Sequence, residues 1–534
     1  MQLILWTWLS LISLVGLENE TPIALSSSNE SAPNVVVILA DDLGFSDLGC
    51  YGGEIQTPNL NQLAETGIRF TQFYNTGRCW PTRASLLTGY YPHQVGFDVV
   101  PGEPPIKRHD RPDWAPLISE QLQKAGYRCY HSGKWHLDSS PTNTGFDRSY
   151  RLDDHGRFFS PKRHFLDDKP LPSVERESGY YATTEIANRA IEFLDQHQRE
   201  HSGKPFFEFV AFTSPHFPLH AKPQDIAQYR GRYSDGWNVL RDERWKRQQQ
   251  LGLFQNGSLS EVEMEVGPPY DRPDDIRALG PGEINRPLPW NELTAEQQEF
   301  QSQKMEVHAA MVHRMDFEVG RIVSKLQESG QFENTLLVFL SDNGASAEIM
   351  IRDDGHDPQA VPGSPDTHLC LGPGFSNAAN TPFRRHKTWV HEGGIHTPFI
   401  VHWPAGIEQA SRLESSVGHV IDIFPTLAEA AGGTVDSTNS PIRPGRSLLK
   451  TIKNGQTIER EYLWWTHEGN SAIRVEDWKL VKAKDSDWEL FNLTNDPTET
   501  NNLILSQAEK ASELKSIWFA KRDEFRIDNQ RFNK

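Results

Sequence analysis

The sequence predicts an α/β protein: a doubly wound, mostly parallel sheet flanked by helices, with a smaller C-terminal antiparallel sheet plus a helix. Three observations predict it. Residues 35–40, VVVILA, form an unbroken apolar run, the pattern of a strand covered on both faces in a parallel sheet. Further strands are expected at 127–131, 206–212, 336–340 and 398–402, and they alternate with helical stretches, which is the rhythm of a doubly wound sheet. From about residue 451 the pattern changes, and EYLWWTH, AIRVEDWKLVKA and WELFNL alternate apolar and polar residues like antiparallel strands.

The elements follow in order. Residues 3–17, LILWTWLSLISLVGL, are apolar but shorter than a membrane span, and Glu18 and Glu20 follow at once. The stretch 1–17 reads as a secretory signal, so the chain is expected to be exported, periplasmic or secreted, with no stable membrane span. Residues 18–33 are rich in Ser, Asn, Glu and Pro and read as a disordered leader. An α/β domain is expected over 34–450. Within it, Thr57-Pro58 opens a helix that Gly67 closes, and Val312, Met315, Val319, Ile322 and Leu326 mark a helix over 305–329 that Gly330 ends. Residues 229–300, charged and Trp-bearing and then Pro-rich, read as a helical insertion followed by loop. Residues 451–534 are expected to form the small C-terminal unit, with its helix near 505–525.

Composition narrows the function. The 534 residues carry a net charge of -18 without a basic tail or stripe, which argues against nucleic-acid binding as the main activity. The four cysteines, at 50, 79, 129 and 370, do not form a disulfide-stapled scaffold, because an odd three remain once Cys79 is set aside for chemistry. An acidic chain that handles an anion must concentrate positive charge locally.

Residues 79–89, CWPTRASLLTG, are where that concentration is expected. Pro81 suits the first turn of a helix and Gly89 suits its end. Cys79 then lies at the helix N-terminus with Arg83 one turn along on the same face, so backbone donors, the helix dipole and a guanidinium converge on one side chain. Just after VVVILA come Asp41 and Asp42, and just after LLVFLS come Asp342 and Asn343. A lone DD or DN pair is usually a solvated turn. Two such pairs at strand ends, where ligands of open α/β sheets bind, supply hard oxygen donors suited to Ca2+ or Mg2+.

The C-x-P-x-R string followed by L-T-G resembles the signature of the type I, formylglycine-dependent sulfatases. ADDLG, GKWHL, SPHFP, SDNG and NTPFRRHKTWVHEGG resemble further motifs of that family, in its order, and the whole chain is most similar to bacterial arylsulfatases. The resemblance implies an alkaline phosphatase-like fold and a sulfuric ester hydrolase. It implies that Cys79 is oxidised to formylglycine (3-oxoalanine) by a formylglycine-generating or anaerobic sulfatase-maturating enzyme. It further implies a metal, Ca2+ ahead of Mg2+, held by Asp41, Asp42, Asp342, Asn343 and modified Cys79. Lys134 and Lys387 would bind sulfate oxygens and Arg83 would support the nucleophile. His216, with Lys387 as the alternative, would protonate the leaving oxygen, and His136 would deprotonate the second hydroxyl. The expected substrate is an aryl sulfate or a sulfated glycan. Two departures from the family pattern stand out: Thr82, where many members have Ser or Ala, and His396, where many have Arg. The rival readings are a phosphomonoester or phosphodiester hydrolase of the same architecture, which would need a plain Ser or Thr nucleophile, and a catalytically silent carbohydrate-binding relative.

Overall fold

A ten-stranded sheet organises the structure, a computed structural model that describes residues 32–102, 111–352, 354–433 and 440–532. The expected signal segment and most of the leader lie outside the described residues. Five parallel strands form the centre in the order Thr335–Ser341, Asn34–Ala40, Phe206–Ala211, Arg128–Gly133, Arg148–Leu152. Phe399–His402 joins them antiparallel on one side and His164–Leu166 on the other, so the sheet is parallel in the middle and mixed toward its edges.

The apolar run in the first strand is explained by its two covered faces. Val36, Ile38 and Ala40 face the long helices Ala182–Glu200 and Ala295–Glu328, while Val35, Val37 and Leu39 face Cys79–Thr88, Ile118–Lys124 and Ile423–Ala430. All six side chains are fully buried, each worth about 1.5–3 kcal/mol for the larger ones.

Register brings the strand ends together. Ala40 pairs with Ser341, so Asp41 and Asp342 emerge side by side. Ala211 pairs with both Leu39 and Gly133, which places Lys134 and the 212–216 turn at the same end.

Of three features, two differ from the sequence reading, while the helix Gly236–Gln250 in the 229–300 insertion agrees with it. The long helix begins at Ala295, ten residues before the apolar periodicity, because Thr294 caps it and Gln297 completes a capping box. The end of the 229–300 insertion is therefore helix and not loop. The insertion also contains the helix Gly236–Gln250, whose buried Arg244 binds Asp47 at 2.8 Å and Glu54 at 2.8 and 2.9 Å, bracing the loop that follows the first strand. Third, short strands such as Ile68–Phe70 and Arg148–Leu152, which carry charged residues and lie toward the edges, went unread.

The C-terminal antiparallel sheet comprises Leu463–His467, Asn470–Val475, Trp478–Lys482 and Glu489–Asn492, and the helix Ala508–Phe532 packs on it through Leu514, Trp518 and Phe525. Its core is continuous with Tyr74, Val390 and Ile395. Buried Lys479 donates to Glu392 at 2.6 Å and pairs with Glu499 at 2.8 Å. These contacts clasp the loop that carries Lys387.

Candidate active site

Cys79 opens the helix Cys79–Thr88, with Arg78 extended at the cap position and Gly89 left-handed at φ 73° to end it. The thiol is 3 % exposed. Thr82, one of the two departures, ties this helix to the segment before it, since its hydroxyl meets Thr76 Oγ1 at 2.8 Å and accepts from the Thr76 amide at 3.1 Å.

Arg83 is fully buried and reaches the neighbouring strand ends. Its Nε and Nη2 donate to Asp342 Oδ2 at 3.1 and 2.8 Å, and Nη1 donates to the Lys134 carbonyl at 2.7 Å. Lys134 Nζ in turn lies 2.6 Å from Asp41 Oδ2. Lys387 Nζ lies 2.8 Å from Asp42 Oδ1 and 3.0 Å from Glu348 Oε2. The Lys387 loop is fixed by backbone contact, since the Gly344 amide donates to the Gly394 carbonyl at 3.0 Å. A Cβ on Gly344 would meet the Gly393 oxygen at 1.9 Å, so glycine is required where the SDNG and EGG segments touch.

Three carboxyls and two lysines thus share a site without bulk water. Burial would raise the Asp41 carboxyl, but Lys134, Arg83 and Lys387 outweigh it and hold it below the ordinary value. Asp42 is raised by burial despite Lys387, and Asp342 is pushed up to about 7 by burial and by the charge of Asp41. At Asp42 and Asp342, though not at Asp41, burial and the repulsion among acids therefore exceed what the local cations relieve. Two buried oxygens, Asp41 Oδ1 and Asn343 Oδ1, have no hydrogen-bond partner, while Asn343 Nδ2 donates to Asp42 Oδ1 at 2.7 Å. Unpaired hard oxygens beside crowded carboxylates are what a divalent cation fits. Donor atoms of Asp41, Asp42 and His216 lie within 4.8 Å of one another.

His216 is buried, and its Nδ1 donates to the Phe217 carbonyl. Its other nitrogen, Nε2, is 3.7 Å from Asp42 Oδ2. Burial, with Lys387 and Lys134 nearby, lowers its pKa well below the ordinary value. The His136 ring lies 5.8 Å from Trp80 and 5.6 Å from His155. His396, the other departure, is not at the nucleophile: it stacks on Phe383 at 4.4 Å and bridges Glu392 and the Thr71 carbonyl, a packing role. Burial raises the Cys79 thiol over the pull of Lys134 and Lys387, so an unmodified thiol would be protonated at neutral pH.

The structure therefore gathers Asp41, Asp42, Cys79, Arg83, Lys134, His216, Asp342, Asn343 and Lys387 at one end of the sheet. It adds three residues that the motifs missed. Glu348 accepts from Arg78 Nη2 at 3.0 Å as well as pairing with Lys387. Arg78 itself binds Thr388 Oγ1 at 2.8 Å. His155 lies beside both His136 and His216, 5.8 Å from the latter. Arg78 directly precedes the CWPTRASLLTG string and Glu348 follows close behind SDNG, whereas His155 has no such neighbour.

A mostly parallel sheet with acidic pairs at adjacent strand ends, and cations gathered around an enclosed cysteine, is an arrangement suited to an anionic ester on an alkaline phosphatase-like fold. The family model for sulfatases matches residues 33–433, and the C-terminal model of N-sulphoglucosamine sulphohydrolase matches 384–520. The chain belongs to the sulfatase family, and it is a sulfuric ester hydrolase. It is 32 % identical to an arylsulfatase of Klebsiella aerogenes, over 79 % of this chain and 90 % of that one. An uncharacterized sulfatase of Schizosaccharomyces pombe is 30 % identical over 91 % of this chain and 92 % of its own. Among solved structures, one holding its substrate D-glucosamine-2-N,6-O-disulfate has a TM-score of 0.62 at 22 % identity, covering 94 % of this chain and all of the other.

Proposed function

We propose that the chain is an exported sulfatase that hydrolyses sulfate monoesters of saccharides, and of simple aryl alcohols, through a formylglycine made from Cys79 by a maturating enzyme. The observation that carries the reading is the placement of Cys79 at a helix N-terminus among Arg83, Lys134 and Lys387, in an unbroken CWPTRASLLTG context. The saccharide assignment draws on the substrate held by the similar solved structure.

Asp41, Asp42, Asp342 and Asn343, joined by the modified residue 79, would hold one divalent ion, Ca2+ ahead of Mg2+ because a shell so largely of protein oxygens suits Ca2+, whereas Mg2+ keeps several of its waters. Such an ion supplies Lewis-acid polarisation of the sulfuryl group. The chain's own residues do the rest. Lys134 and Lys387 offer ammonium groups to the sulfuryl oxygens, whose negative charge otherwise repels a nucleophile. A hydroxyl of the hydrated residue-79 aldehyde attacks sulfur, the S–O bond to the substrate breaks, and the departing oxygen takes a proton from His216. With Nδ1–H committed to the Phe217 carbonyl, Nε2 has a proton to give only in the doubly protonated ring, a form that the anionic sulfate ester beside it would favour. His136 then accepts the proton of the remaining hydroxyl, sulfate leaves, and the aldehyde is restored.

The test pairs two measurements on enzyme matured in the cell: the mass of the peptide containing residue 79, and turnover of an aryl sulfate against the matching aryl phosphate. Aldehyde at residue 79 with sulfate as the faster substrate is expected. Active enzyme carrying only thiol there, or faster turnover of the phosphate, would refute the reading.

A further inference from the structure

Beside the catalytic cluster lies a pocket lined by the turn after Arg148–Leu152 and by segment 352–368. His155 belongs to both, since it lines the pocket and its ring lies 5.6 and 5.8 Å from those of His136 and His216. The pocket therefore adjoins the catalytic cluster on the side of His136 and His216.

Its charges are unevenly matched. The three acids on its wall are all engaged: Asp153 with Arg151 at 3.3 Å, Asp154 with Arg157, and Asp354 with Arg157 Nη2 at 2.9 Å and Lys162 at 3.6 Å. Two lining arginines, Arg163 and Arg352, have no carboxylate within 4 Å among the described residues, and both are exposed to the pocket's solvent. A pair of guanidiniums without a direct ion-pair partner among the described residues is notable in a chain of net charge -18, although Arg163 still feels the charge of Asp153. Arg352 is also oriented. Its Cζ lies 4.8 Å from the centre of the Phe217 ring, and Lys387 Nζ lies 5.6 Å from the same ring. One aromatic ring thus links the lysine of the sulfate cluster to the free arginine of the pocket. The remaining lining groups are neutral hydrogen-bonding partners: His155 Nδ1 donates to the Asp153 carbonyl at 3.2 Å, leaving Nε2 an acceptor, and His220 Nε2 is bound to the Thr367 carbonyl at 2.8 Å.

We propose that this pocket is a second anion site, in which Arg352 and Arg163 bind a carboxylate or second sulfate on the same saccharide whose ester occupies the Cys79 cluster. The inference rests on the sulfatase reading above and deepens it, naming the substrate class as saccharides with at least two anionic groups. A guanidinium suits either oxyanion, because its paired donors match both.

The test uses three matched disaccharides: one monosulfated and otherwise neutral, one with a second sulfate, and one with a uronate carboxylate. Parent enzyme, Arg352→Ala and Arg163→Ala are compared by the ratio of kcat/KM between each doubly anionic substrate and the neutral one. The parent ratio is expected to exceed tenfold and to fall by about tenfold in Arg352→Ala, mostly through KM, as loss of one charge-assisted contact predicts. The sulfate and carboxylate arms show which anion is preferred. A parent ratio near one, or equal loss on all three substrates in Arg352→Ala, would overturn the proposal. A binding arm on Cys79→Ala, by calorimetry with the same disaccharides, needs no turnover. If no sulfate ester is hydrolysed but Arg352 still selects the doubly anionic ligand, the catalytic reading fails and the anion site stands.

Discussion

The strand that delivers His216 also carries Glu208, fully buried, with neither carboxyl oxygen hydrogen-bonded. Val36 and Tyr130 flank it on the adjacent strands. Burial alone pushes its pKa well above the ordinary glutamate value, so the folded chain keeps a neutral acid where the unfolded chain ionises. The folded state then binds more protons than the unfolded state. Stability is full below the unfolded pKa, about 4.3, and falls as pH rises toward the folded one, by about 1.4 kcal/mol per pH unit. Between pH 5 and 7 this single group should cost up to about 3 kcal/mol, the limit reached when Glu208 stays neutral in the fold throughout. Glu208→Gln cannot titrate. Urea unfolding of parent and variant, followed at both pH values, should show the stability difference shifting by that amount in the variant's favour as pH rises. Comparing the two proteins cancels every other titrating group. A difference that stays constant across this range would mean that Glu208 is ionised in the fold, and the argument from burial would fail.

Three further outcomes follow from the site. Asp342→Ala should lose bound metal and activity together, measured by elemental analysis beside turnover; full activity in exhaustively chelated, metal-free parent enzyme would contradict the metal assignment. His216→Ala should slow a sugar sulfate by on the order of a hundredfold or more but a nitrophenyl sulfate far less, because only the basic leaving oxygen needs a proton. Lys134→Ala should slow both alike, and equal losses for His216→Ala would transfer the acid role to Lys387. Glu348→Gln removes the negative charge shared by Lys387 and Arg78 and leaves one of them facing an amide NH2, and should lower kcat/KM on the order of ten- to a hundredfold while leaving the circular dichroism spectrum intact; unchanged kinetics would show that the pair is dispensable.

The centre of the fold was legible because buried parallel strands leave apolar runs, and the site residues follow those runs directly, as Asp41 follows VVVILA and Asp342 follows LLVFLS. The edges were not. Arg148–Leu152 reads RSYRL, since a strand near the edge carries charge, and the first turns of the long helix read AEQQEFQSQK, with the start signalled only by the Thr294 cap. Glu348 and His155 were illegible for a different reason. Their partners are Arg78, 270 residues away in sequence, and rings from separate turns, so only the closed chain reveals the association.

Cys79 sits at 3 % exposure, walled by Asp342, Lys134 and Lys387, with Asn75 just upstream clamped by Trp465 Nε1 of the C-terminal sheet at 2.8 Å. Synthesis runs in the opposite sense to that enclosure: the cysteine leaves the ribosome ahead of the residues that later seal it, most of which are translated hundreds of residues afterward. Until then the thiol is within reach of another protein, and afterward it is not. An enzyme that oxidises this side chain must therefore act on a nascent or still unfolded polypeptide, and a chain that finishes folding first would be locked in the thiol form, inactive but otherwise native.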